Sequence, residues 1–263
     1  MPDFDERFAG TDLDPAVWTP SYLPAWSSRA ESAATYAVGG GELRLSIPPE
    51  QGLWCPDLHH PPLRVSAVQS GNRSGPVGST DGQQPFRDGL RVREEQPTVL
   101  GFTPLHGHVA VSCRATLGPR SMFSAWMVGL EDRPERCGEI CIVEVFGEAP
   151  ATDSRGHPTA RYGCGVHPFR DPDLVDDFAA PTVAVDVART HTYAVEWTAG
   201  GVDFLLDGAL VRRTAQSPRY PLQLILGVFD FPDRATAAQR DGREPPPTPE
   251  LVVERVWGRA PPG

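Results

Sequence analysis

Proline constrains this chain more than any other residue type: there are 29 in 263 residues, spread along the whole length. Each lacks a backbone N–H and fixes its φ, so it breaks helices and belongs in turns and at strand edges. With 26 glycines, turn formers make up about a fifth of the chain, well above ordinary usage. An all-helical fold is close to excluded. Between the breakers lie short apolar or alternating runs: residues 42–47 (ELRLSI), 108–115 (HVAVSCRA), 192–198 (TYAVEWT), 202–206, 222–229 (LQLILGVF) and 250–256. Period-two alternation places one face of a strand in a core. Asp207-Gly208, between two such runs, signals a hairpin. The pattern predicts an all-β fold, a β-sandwich or barrel.

Hydrophobic residues at 40% and charged residues at 22% supply a sizeable core, and no linker divides two cores, so residues 1–263 read as one domain. Two stretches break the strand pattern, 69–89 and 232–249. Both read as long surface loops, of the kind that in a compact domain is usually functional or disordered.

The net charge is −10, and every one of the 24 cations is arginine. That balance argues against nucleic acid and anionic membranes as partners and leaves a neutral ligand open. Five cysteines, with no CxxC pair, read as free thiols in a reducing compartment. The first residues show neither a basic nor an apolar leader region, and no run nears the roughly 18 apolar residues of a membrane span. As written the chain is expected in the cytoplasm, and outside the cell if a leader has been trimmed from it. No cofactor is implied. His106 and His108 have metal-ligand spacing but lack a third ligand nearby.

The most informative segment is 136–148, RCGEICIVEVFGE. Glu139 and Glu144 sit in an apolar β-type run, where a carboxylate is costly unless it faces a wet cleft. Apolar neighbours also raise a carboxyl pKa, which suits a general acid. In a regular strand Glu139 and Cys141 share one face and Glu144 takes the other. A β-bulge near Ile142–Val143 inserts one residue and returns Glu144 to the face of Glu139.

Glu-Ile-Cys-Ile-Val-Glu resembles the bulged E-x-D-x-x-E signature of glycoside hydrolase family 16. Further likenesses lie at residues 8–18 (FAGTDLDPAVW), 107–115 and 123–129 (FSAWMVG), Gly165-Val166-His167, 191–207 (HTYAVEWTAGGVDFLLD) and 251–257 (LVVERVW). The resemblance implies a concanavalin A-like, laminarinase-type jelly-roll β-sandwich of two antiparallel sheets that cleaves β-linked glycans with retention. It makes Glu139 the nucleophile and Glu144 the general acid/base, and it places Cys141 where the family has an Asp that hydrogen-bonds the nucleophile. It further implies Trp126 and His167 as substrate-facing residues, and allows a structural calcium near Glu254. Cys141 itself reads as a small residue of the cleft floor. The loop 69–89, with Trp54 or Trp126, is expected to frame one side of the site. Trp197 reads as core, and His59-His60 as loop residues without a partner.

Three functions remain open from the sequence. The first is a retaining endo-glycosidase acting on a neutral oligosaccharide, with a monomer as the expected state. The second is the same sandwich applying its two carboxylates to a small intracellular metabolite. The third is a carbohydrate-binding protein without turnover.

Overall fold

The computed structural model describes residues 3–235 and 247–260. All six apolar or alternating runs form strands, and the Asp207-Gly208 hairpin joins Gly201–Leu206 to Ala209–Thr214. Asp207 has φ 50° and Gly208 φ 79°, the left-handed pair that a tight hairpin requires.

The strands assemble into two main antiparallel sheets. One has the order Ala209–Thr214, Gly201–Leu206, His191–Thr198, Gly107–Thr116, Glu250–Arg259, Glu42–Ser46 and Tyr36–Gly39, and Phe4–Glu6 also pairs with Glu250–Arg259. The other runs Asp177–Ala179, Gly163–His167, Glu139–Phe146, Ser121–Gly129, Leu222–Asp230 and Arg64–Gln69. Spatial neighbours such as Gly107–Thr116 and Glu250–Arg259 are distant in sequence, so the chain crosses repeatedly between sheets. The result is an all-β jelly-roll sandwich. Among the described residues only two three-residue turns are helical.

The main core lies between the sheets and contains Val109, Val111, Ile140, Ile142, Val195 and Leu226. The outer face of the six-stranded sheet carries a second apolar cluster. Trp126, Ile225 and Phe229 from its strands meet Trp26, Trp54 and Leu90 from covering segments. With both faces covered, Ser121–Gly129 and Leu222–Asp230 are buried at every position. This is why residues 222–229 read as a nearly continuous apolar run rather than an alternating one.

The stretch 69–89 is packed, not a loose surface loop. Gln69 and Gln83 are buried, and the Gln83 carbonyl accepts the Trp26 indole N–H at 2.7 Å. Gly82 is pressed so closely on Trp26 that a Cβ there would lie 2.6 Å from the ring. Of the second expected loop, 232–249, residues 236–246 lie outside the described residues.

Glu254, the carboxylate considered for calcium, is held by Arg114 at 2.5 Å and by the Thr190 hydroxyl. So occupied, it does not fit a calcium ligand. No group of three or more His, Cys, Asp or Glu among the described residues is arranged to hold a metal ion.

Candidate active site

The site is built on Glu139–Phe146. Its pairing with Ser121–Gly129 shifts register: Val143 lies opposite Ala125, and Cys141 opposite Trp126, so Ile142 is the extra residue of a β-bulge. The pairing with Gly163–His167 shifts at the same level. Ile140, Ile142, Val143 and Val145 therefore all point into the main core. Glu139, Cys141, Glu144 and Phe146 are left on the outer face. Glu144 is flanked by Ser124 on one neighbouring strand and Gly163 on the other. Two small neighbours leave space around its carboxyl.

Glu139 and Glu144 line one cavity of about 240 Å³, with Tyr22, Gln84, Trp126 and Phe229. Two further recesses join it. Beyond Glu144 lies one of about 530 Å³, walled by Phe146, Phe178, Arg161 and Arg234. On the other side, one of about 180 Å³ is lined by Trp54, His59, Phe86 and Phe169. The recesses share Glu144 at one junction and Tyr22, His59 and Gln84 at the other, so together they form an extended groove.

Trp126 lines the cavity directly and points its indole N–H at the Gln84 side-chain oxygen, 3.4 Å away. His167 lies opposite Glu139 on the next strand, stacks on Phe178 and hydrogen-bonds Asp176 at 2.6 Å. One expectation needs correction. Cys141 shares the face of Glu139 but is only 2% exposed, enclosed between Trp126 and Gly165, so its thiol does not reach the open cleft. Burial beside both carboxylates holds that thiol well above the ordinary value, so it is no thiolate. Trp54 is buried at 4%, bonds the Tyr22 carbonyl at 3.0 Å and forms part of a side-recess wall.

Sequence reasoning missed Tyr22, Gln84 and Ser124, and it dismissed His59. His59 in fact packs edge-on against Trp54 and Phe86 and lines the cleft. The only sequence signal for Gln84 was its position inside the glycine-rich stretch expected to frame the site.

Both carboxyls are pushed above their ordinary range. Glu139 rises from 4.5 to about 8, first through burial, then through its proximity to Glu144, while a hydrogen bond from Gln84 acts the other way. Burial also raises Glu144, against the opposing fields of His167 and Arg234. The pair consequently keeps a proton at neutral pH. Stability follows the same linkage. The folded Glu139 holds its proton up to about 8 and the unfolded one loses it near 4.5, so its contribution is complete below 4.5 and lost as pH rises through 8. Glu139→Gln is therefore expected to raise Tm at pH 9, by roughly 2–4 °C for each kcal/mol of relieved charge burial, and to leave Tm almost unchanged at pH 4.5. Thermal melts at the two pH values check this.

A cleft on one face of a jelly roll, with two carboxylates set on either side of a bulge, defines a glycoside hydrolase architecture. The model for glycosyl hydrolases family 16 matches residues 101–241, more than half of the chain and including the whole carboxylate strand, and the chain belongs to that family. Among solved structures, the fold is similar to a GlcNAcα1-4Gal-releasing endo-β-galactosidase from Clostridium perfringens, with TM-score 0.77 and 24% identity. That match covers 97% of this chain and 61% of the other, so the present chain spans under two thirds of that relative. The laminarinase catalytic domain from Thermotoga maritima aligns with TM-score 0.60 and 14% identity, covering 99% of this chain and 98% of that one. A laminarinase from Flavobacterium sp. UMI-01 gives TM-score 0.59 at 14% identity, covering 97% and 98%. No curated protein sequence matches significantly.

Proposed function

We propose that the protein is a retaining endo-glycosidase acting on a neutral β-linked glycan. The bulge at Ile142 carries this reading, because it alone turns Glu139 and Glu144 to the same cleft. In the first step Glu139, in its ionised form, attacks the anomeric carbon as the glycosidic C–O bond breaks, and Glu144, in its protonated form, gives its proton to the leaving oxygen. In the second, Glu144 takes a proton from water. The water oxygen bonds to the anomeric carbon, and the carboxylate of Glu139 departs. Two inversions leave the configuration retained.

The groove supports endo action, since recesses continue on both sides of the carboxylate pair. Its aromatic and uncharged lining around the pair, Tyr22, Trp126, Gln84 and Ser124, suits neutral sugar rings. The solved relatives named for laminarin and galactose-containing glycans supply the polymers to try first.

Reducing-end release from β-1,3-glucans, β-1,4-glucans and β-galactans, with NMR of the first-formed anomer, tests the proposal. Oligosaccharide products of β configuration are expected. Products of α configuration would overturn retention. Tight binding with no released ends on any polymer would instead favour a binding protein.

A further inference from the structure

We propose that Gln84 is the positioning residue of Glu139, its side-chain amide anchoring one carboxylate oxygen and leaving the other to attack. This rests on the glycosidase reading above. The Gln84 amide nitrogen donates to Glu139 Oε2 at 2.9 Å, the one hydrogen bond this carboxylate receives among the described residues. Its amide oxygen accepts the Trp126 indole N–H at 3.4 Å. Indole can only donate, so this contact fixes which end of the amide faces Glu139. With Oε2 held, Oε1 forms the bond to the anomeric carbon while the leaving oxygen takes the proton of Glu144.

The backbone is built to present this side chain. Gln84 has φ 43°, a conformation a glutamine adopts only where its surroundings impose it. Its N–H is gripped by the carboxylate of Glu131, which is 4% exposed, also has a left-handed φ (54°) and is ion-paired to Arg170. Arg73 donates to the Glu131 carbonyl and forks onto both oxygens of Asp81 at 2.8 and 2.7 Å, tying the stretch before Gln84 to the same point. A buried carboxylate and two arginines thus hold a strained glutamine over the cleft, 55 residues from the group it touches. Cys141, on the same face as Glu139, offers only a weak thiol donor.

Gln84→Met keeps the length and removes the donor. In the full chain it is expected to lower kcat by about 10- to 100-fold, the range for losing a hydrogen bond to a charged group, with KM within about threefold. The limb of the pH profile on which Glu139 ionises should move up by about one unit, because the lost bond favours the charged form. The other groups facing Glu139 stay unchanged: Glu144 on its own strand, Tyr22 and His59 from the covering segment, His167 across the next strand, Cys141 beneath, and Glu131 with Arg170 behind Gln84. Cys141→Asp puts a stronger partner on the same face. It should recover part of the loss in the Gln84→Met background.

Chain labelled with 13C at the glutamate carboxyls reads the contact without turnover, the Glu139 signal being the one missing in Glu139→Gln. Its titration midpoint should rise in Gln84→Met. An unmoved midpoint, or native kcat with an unmoved pH limb in folded Gln84→Met, overturns the proposal. Absence of glycan hydrolysis by the native protein sinks the glycosidase reading instead, while the titration still reports whether Gln84 holds Glu139.

Discussion

Replacing Glu139 with Gln is expected to abolish glycan hydrolysis, lowering kcat/KM on the order of 10⁴-fold or more, while the variant should stay folded and still bind oligosaccharide. The fold survives because the native carboxyl is already half-buried and reluctant to ionise, so an uncharged isostere costs nothing there. Glu144→Gln behaves differently. With a natural glycan it loses about 10²–10⁴-fold, the usual size of general acid–base assistance. With a dinitrophenyl glycoside the leaving group needs no proton, and the first step should proceed at close to the native rate. Leaving-group dependence thus separates the two carboxylates by role. Electrostatics alone does not assign the roles, since burial raises both groups and Glu139 the more clearly. If Glu139→Gln retained the dinitrophenyl activity and Glu144→Gln lost it, the two roles would be exchanged.

The second large effect concerns the parity of the carboxylate strand. Deleting Ile142 removes the extra residue and yields a regular strand in which Glu139, Cys141 and Glu144 still alternate onto the cleft face. The cost is a buried isoleucine, about 2–5 kcal/mol as for comparable core truncations, together with the Tyr162 hydroxyl bond to the Ile142 carbonyl. Such a variant should fold with a lowered Tm and keep measurable hydrolysis. Inserting an alanine between Val143 and Glu144 does the reverse. It turns Glu144 toward the main core and Val145 toward the cleft, and an unpaired carboxylate in that core costs several kcal/mol. No hydrolysis and a poorly folded chain are expected. Circular dichroism melts beside reducing-end assays compare the pair. Full activity in the insertion variant would show that Glu144 does not need its face.

What was readable in the chain was what local order encodes. Alternation at 42–47, 108–115, 192–198 and 250–256 gave strands, because which face a side chain takes depends only on its parity along the backbone. Asp207-Gly208 gave a hairpin, because two positive φ values admit few residue types. The distance from Glu139 to Glu144 gave the choice between a bulge and a split pair. It could not choose, since a bulge is a property of pairing with Ser121–Gly129.

The remainder was decided by contacts between residues far apart in sequence. Cys141 carries the right parity for the cleft, yet Trp126 and Gly165 enclose it from the neighbouring strands. Trp54 belongs to a wall because Tyr22, His59 and Phe86 converge on it. Gln84 meets Glu139 only after residues 69–84 have packed against Trp26 and Glu131, and no pattern within that glycine-rich stretch marks this glutamine out from Gln83 beside it. Periodicity acts between neighbours along a strand, so the sequence determined the sheets and the facing of their side chains. Burial and hydrogen bonding at the cleft depend on which distant segments arrive there, and only the tertiary structure decided that.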